Sequence, residues 1–401
     1  MTLPLNKTTK FIILGLLIIG LTAIFLFKLQ DRMTDFKVFD RAGERVIKGE
    51  MLYQLSDGHY AFKYPAFFAF MVAPITVLPF ILSQAIWCLL ICTAIVLYLR
   101  FGCLILKVEN KQCWRVLILT ILILAKFYGR ELDLGQANAI MGCFLLLMTW
   151  FVSVKRETPA GIFLALAVIV KPYSLIFFPY FLLRKYYRLV GIAAWSLIIA
   201  FLFPVVRYGY NCTIQLHAQW LITLSHSTPR LCSNVDNVSL IGMLVKWFGG
   251  YDTMVFTIWI GLIIIIFAIF VWMIFLKKDI SNRSLSLEIS LLLLFIPLFS
   301  PLGWDYTFII AAFGVMTLLT YWNELPIYIV IPMILNLILI GGTFYDVMGA
   351  GLYSKFMKSS ILTVNYLAIM VTLGYLRFQQ RHRQPFVSRE YGQVSCRSIR
   401  R

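Results

Sequence analysis

Asp35 stands a few residues beyond the apolar run Phe11 to Leu29, at the head of Thr34-Asp35-Phe36-Lys37-Val38-Phe39-Asp40. A carboxylate just outside a membrane-length helix is suited to take a proton from a hydroxyl, which needs only one carboxylate within hydrogen-bond reach. The same residue fits an N-cap for a helix starting at Phe36. The two roles are compatible, since a cap also fixes the side chain, and Asp31 and Asp40 are nearby alternatives. Lys171, followed by Pro172-Tyr173, separates the apolar stretches 158–170 and 172–183. A lysine there either snorkels to an interface or faces a cavity or an anion, because lipid tolerates it poorly. Its chemical reading is a cation for a phosphate, aimed by the helix break at Pro172.

Three further groups carry polar or aromatic chemistry. Gly135-Gln136-Ala137-Asn138 offers two amides, Gln136 and Asn138, that suit sugar hydroxyls or a helix cap. His59, Lys63 and Tyr64-Pro65 close the first polar loop, and with Asp40 they are candidate sugar or acceptor contacts. Trp304, in Ser300-Pro301-Leu302-Gly303-Trp304-Asp305, is suited to stack on a sugar face or to anchor in an aromatic belt. His217, His226 and Arg230 have no interpretable spacing, and the sequons at Asn211 and Asn237 carry no functional argument. Among eight cysteines there is no Cys-x-x-Cys pair and no Cys/His cluster at metal spacing. A structural zinc is not expected, nor any other metal or cofactor. Cys212 and Cys232 share one long loop, so a disulfide there is an expectation for an oxidising compartment.

The elements that position these residues are helices in lipid. Charged residues make up 13% of the chain, against about 25% in ordinary soluble domains. At about 20 residues per crossing, the apolar runs predict an all-α polytopic protein with about 12 spans. These are 11–29, 82–100, 116–129, 137–154, 158–170, 172–183, 189–206, 254–276, 284–299, 306–322, 325–341 and 359–377. The stretches 158–170 and 172–183 are short, as buried or cavity-lining helices are allowed to be. Residues 65–80 are read as re-entrant or interfacial, because a full span there would put Arg100–Arg115 on the wrong side of the charge rule. With that rule met, the cytoplasmic side holds 21 Lys/Arg and 6 acids, leaving 15 Lys/Arg and 12 acids outside. The net charge of +18 is therefore topology, not a nucleic-acid footprint. Both termini face the cytoplasm, and residues 30–64 and 207–253 form large outer loops. Residues 1–376 read as one integral domain and 377–401 as a basic cytoplasmic tail. The first loop is expected to hold an amphipathic helix in the interface plane. Phe36, Phe39, Gly43, Val46 and Ile47 lie on its apolar face, Lys37, Asp40, Arg41, Glu44, Arg45 and Lys48 on the other, and Gly49 is its stop.

The ordered set Asp35-Phe36, Gly49, Tyr53, Tyr64-Pro65, Pro74, Pro79, Gly135-Gln136-x-Asn138, Ala160-Gly161, Lys171-Pro172, Arg184–Arg188, Asn237-x-Ser239-Leu240 and Ser300-Pro301-x-x-Trp304 resembles glycosyltransferase family 87 from about residue 30 to 310. That family of multispanning GT-C enzymes includes polyprenyl-phosphomannose-dependent mannosyltransferases of actinobacteria. The resemblance implies a GT-C fold and inverting transfer of a hexose, with mannose the default. The donor would be a polyprenyl-phosphate sugar and the acceptor a lipid or glycan on the outer side of the cytoplasmic membrane. It places the family's catalytic aspartate on Asp35 and its lysine–proline element on Lys171-Pro172. The chain lacks the long alanine-rich composition of better-known members. The competing class is a transporter or a lipid-linked-sugar flippase without transferase chemistry. A transporter predicts charged or broken helices at the midplane and related halves, and no halves match here.

Overall fold

The computed structural model describes residues 31–276 and 281–379. The expected first span 11–29 and the tail beyond Gln379 lie outside the described residues. Everything described is helical apart from turns and one isolated antiparallel bridge, Asn237 to Trp304. In chain order the helices are α1 (Thr34–Lys48), α2 (Ala66–Thr76), α3 (Phe80–Leu106), α4 (Asn110–Ile123), α5 (Ala125–Leu134), α6 (Asn138–Ser153), α7 (Glu157–Val170), α8 (Phe177–Leu183) and α9 (Tyr187–Leu202). There follow α10 (Val205–Cys232), α11 (Leu240–Phe248), α12 (Thr253–Leu276), α13 (Asn282–Phe299), α14 (Ala312–Thr320), α15 (Ile327–Gly342), α16 (Tyr345–Lys358) and α17 (Ile361–Gln379).

Four described helices are long and apolar enough to cross a bilayer: α3, α12, α13 and α17. The number is up to 7 if the bent pairs α4/α5, α9/α10 and α15/α16, which turn through 62°, 91° and 106°, each count as one span. The continuous span expected at 116–129 breaks at Leu124. The expected spans 137–154 and 158–170 are helices of 16 and 14 residues. At 1.5 Å per residue they fall short of a ~30 Å core. They are the middle of the molecule: α6 packs against both α3 and α7, and α7 also against α9. Helix α2, the element read as re-entrant or interfacial, has 11 residues with Pro74 inside, about 16 Å in all.

Three expectations are corrected. Asp35 is not an N-cap. Met33 holds that position in a left-handed conformation (φ 48°) without a side-chain cap, and its N–H donates to the Asp133 carbonyl at 2.8 Å. The helix therefore starts at Thr34, and Asp35 falls within its first turn. Secondly, the polar face of α1 is open only in part, with Lys37, Arg41 and Lys48 exposed. Asp40 and Arg45 are buried while Ile47 is exposed, because the loop behind folds over the helix. Arg45 donates to Asp57 at 2.6 and 2.9 Å and to the Leu52 carbonyl at 3.1 Å. The helix does end at Gly49, as expected, and Arg207 donates to the carbonyls of Val46 and Ile47. Thirdly, most of 207–253 is not loop. Cys212 and Cys232 both lie in α10 and are free. Twenty residues along a helix is about 30 Å, far beyond the ~7 Å limit for a disulfide.

Candidate active site

A cavity of about 340 Å³ opens between α1, the end of the first loop, the α5–α6 turn, the Lys171 break, α10 and the 300–306 segment. Asp35, Lys63, Tyr64, Gln136, Lys171 and Trp304 all line it. Six sequence-selected residues, up to 269 positions apart in the chain, thus meet at one place. Asn138 lies directly behind the wall, fully buried. Asp40 does not reach the cavity; it is turned into the packing of α1, and its Oδ1 has no hydrogen-bond partner. Burial, assisted by the neighbouring Glu44, pushes its carboxyl up to about 6. His59 falls in the 3-10 turn Leu55–Tyr60, and its side chain lies outside the described residues.

The geometry has a hub in Gln136-Ala137-Asn138. Helix α5 stops at Gly135, whose φ of 67° is left-handed, a region that L-residues other than Gly pay to enter. Its Cβ position would meet Phe36 Cβ at 2.8 Å. Trp87 donates to the Gly135 carbonyl at 2.8 Å and stacks on Phe36 at 5.5 Å. The turn and the start of α1 are therefore locked together by one aromatic contact.

Lys171 follows α7 in extended conformation (φ −147°), and Pro172 opens the next 3-10 turn. Its Nζ donates to Asn138 Oδ1 at 2.5 Å and to Gln136 Oε1 at 3.5 Å. An ammonium can only donate, so it orients both amides. Each then presents its NH₂ the other way: Gln136 Nε2 donates to Asp35 Oδ2, and Asn138 Nδ2 donates to Glu131 Oε2 at 2.8 Å. Glu131 Oε1 also accepts from the Ala139 N–H at 2.7 Å. Tyr64 completes the set, its hydroxyl donating to Gln136 Oε1 at 3.1 Å and its ring lying 5.8 Å from the Lys171 ammonium. Two carboxylates, two amides and one ammonium make a continuous chain from the cavity to the interior.

The far wall is aromatic. Trp304 and Tyr306 are parallel with centroids 6.5 Å apart, and the Arg130 guanidinium lies 5.7 Å from the Tyr306 ring. Arg130 is held by Asp305 at 2.8 Å. The segment carrying Trp304 is clamped through Asn237. That buried amide donates to the carbonyls of Cys232 and Pro301, while its oxygen accepts from the N–H groups of Ser239 and Gly303. The sequon at Asn237 is thus structural. Trp220, Leu224, Thr228 and Leu231 of α10 form an apolar side, spaced at i, i+4, i+8 and i+11.

Glu131, Tyr306 and Trp220 are the functional candidates missed in the sequence. Glu131 had a signal, an acid just ahead of the Gln136–Asn138 pair. Trp220 falls in the expected outer loop 207–253, yet the spacing 220, 224, 228, 231 is that of one helix face.

An all-helical membrane bundle with a polar, aromatic-walled cavity of this kind is the setting of a membrane glycosyltransferase. The model of glycosyltransferase family 87 matches residues 62–301, more than half of the chain, and the protein belongs to that family. The match takes in Lys63, Tyr64, Gln136, Asn138 and Lys171, while Asp35, Asp40, His59 and Trp304 lie outside its limits. No curated protein and no solved structure matches the chain.

Proposed function

We propose that this membrane glycosyltransferase transfers a hexose, mannose by default, from a polyprenyl-phosphate donor to a lipid or glycan acceptor on the outer side of the cytoplasmic membrane, with inversion, in a GT-C architecture. The observation that carries the reading is that Asp35 and Lys171 line one cavity and are joined through a single amide, Gln136. The aromatic pair Trp304 and Tyr306 offers a face for the sugar, and the apolar side of α10 suits a lipid chain.

In this reading Asp35 accepts the proton of the acceptor hydroxyl. The acceptor oxygen forms its bond to the anomeric carbon as the carbon–oxygen bond to phosphate breaks, and the phosphate departs with the electron pair. Lys171 holds the phosphate, with Asn138 and Glu131 behind it. Attack opposite the leaving group inverts the anomeric centre. Both termini face the cytoplasm, and residues 1–376 act as one integral unit.

The test uses purified protein in nanodiscs with radiolabelled polyprenyl-phosphate sugars and identification of the product anomer. Asp35→Asn should lower turnover by about 10²-fold or more. Lys171→Ala should raise the donor KM, with partial recovery in Lys171→Arg because the charge remains. Full activity of Asp35→Asn would remove the base assignment. Donor movement across the bilayer without a glycosylated product would favour a flippase.

A further inference from the structure

Lys63 has a fixed backbone and a cation not committed to a partner among the described residues. Trp220 Nε1 of α10 donates to the Lys63 carbonyl at 2.9 Å, and the Tyr53 hydroxyl donates to the next carbonyl, Tyr64, at 2.8 Å. The residue lines the cavity, yet among the described residues its ammonium makes no hydrogen bond and no ion pair. Burial pulls that ammonium below the ordinary lysine range, and the charge of Asp35 pulls it back up. Lys63 therefore feels the Asp35 charge across the cavity that both residues line. Lys171 differs in kind, since its ammonium is already committed to Asn138 and Gln136.

The charges in the proposed reaction move. A sugar linked through a phosphodiester carries one negative charge; the departing monoester carries two. Asp35 starts with one and ends with none, having taken the acceptor's proton. One unit of negative charge thus leaves Asp35 and appears on phosphate while the new carbon–oxygen bond forms. A cation lining the same cavity as Asp35 loses one partner as the other develops.

We propose that Lys63 stabilises the second negative charge on the departing phosphate, a role distinct from the sugar or acceptor contact its position in the sequence suggests. The proposal rests on the phosphate-donor reading above. Its consequence is a division of labour. Lys171 binds the charge present throughout, which appears in donor KM. Lys63 binds charge that exists only from the transition state onward, which appears in the chemical step.

The experiment measures donor KM and single-turnover rate with polyprenyl-phosphate mannose for wild type, Lys63→Met and Lys63→Arg in nanodiscs, with melting temperatures as a folding control. The expected result is a fall of about 10²-fold in single-turnover rate for Lys63→Met, donor KM within about threefold, and substantial recovery in Lys63→Arg. A rise in donor KM with an unchanged rate, equal losses in the methionine and arginine variants, or no effect on either quantity overturns the role. Wild-type protein inert toward polyprenyl-phosphate sugars would overturn the function reading and this proposal with it. An active wild type with an indifferent Lys63→Met overturns the Lys63 assignment alone.

Discussion

At the scale of single residues, the site is governed by one ammonium that fixes two amides. Asn138 is the more exacting of these, because it is fully buried and bonded on both sides to charged groups. Asn138→Leu leaves Glu131 with one donor fewer and Lys171 without its nearest acceptor. The expected loss is about 2 kcal/mol or more, as for hydrogen bonds to charged groups, together with a raised donor KM; calorimetry and steady-state kinetics read the two separately. Asp40 gives a different signal. Its carboxyl sits at about 6, above the ~3.9 of an unfolded aspartate. The folded state therefore binds its proton more tightly, and stability from this residue is full below pH ~4 and lost as pH rises through about 6. Asp40→Asn removes the titration. Its melting temperature relative to wild type should climb between about pH 4 and 6 and stay level above; a difference independent of pH would contradict the assignment.

At the scale of elements, breaks matter more than spans. The Lys171 break, the Gly135 turn and the 300–306 segment bring the polar groups together, while the helices hold these breaks apart at fixed distances. Gly303 shows how little room there is. A Cβ there would lie 2.0 Å from the Pro297 carbonyl oxygen and 2.8 Å from Ser239 Cβ. Gly303→Ala should cost about 3 kcal/mol by overpacking and displace Trp304, so thermal stability and activity should fall together; a variant with unchanged melting temperature would show that the segment gives way. This is also where the sequence was most and least readable. Lys171-Pro172, Gln136, Asn138 and Tyr64 were legible because polar groups in lipid-facing surroundings need a reason. The start of α1 was not, since Met33 in a left-handed conformation goes against local preference and is held by packing and by Asp133. The α4/α5 break was nearly hidden, as only Thr120 interrupts the apolar run from Val116 to Ala125 and Lys126 alone marks the bend. Asp40 and Arg45 were assigned to solvent because helical periodicity does not reveal which loop will fold over a polar face.

For the whole molecule, one buried ionic cluster ties separate helices together. Glu288 of α13 accepts from Arg184 Nε at 3.0 Å, from Tyr180 at 2.9 Å and from Arg377 of α17 at 2.9 and 2.7 Å. Arg377, first counted to the tail, is therefore fully buried in the bundle. One carboxylate joins the end of α8 to two membrane-length helices. Glu288→Gln leaves two buried guanidinium groups facing a neutral amide, and the expected cost is about 3–5 kcal/mol. The readout is a lower melting temperature in nanodiscs with the donor KM of the surviving folded fraction unchanged. A shift in KM would mean that this cluster reaches the cavity.

The clamp at Asn237 has a bearing on how the protein is best produced. In a secretory host, an oligosaccharide is attached to Asn-x-Ser while the chain is still being threaded into the lumen, before folding hides the asparagine. If the 207–253 segment lies on the outer side, as the charge rule predicts, a modified Asn237 has no route to its four partners, and such a host would accumulate a glycosylated fraction unable to close the 300–304 segment. The customary repairs fail here for structural reasons. Glutamine is one methylene too long for the four contacts, and Ser239 accepts from the Gly242 N–H at the head of α11, so alanine in its place removes a helix cap worth about 1 kcal/mol. Expression in a host without N-linked glycosylation preserves both residues.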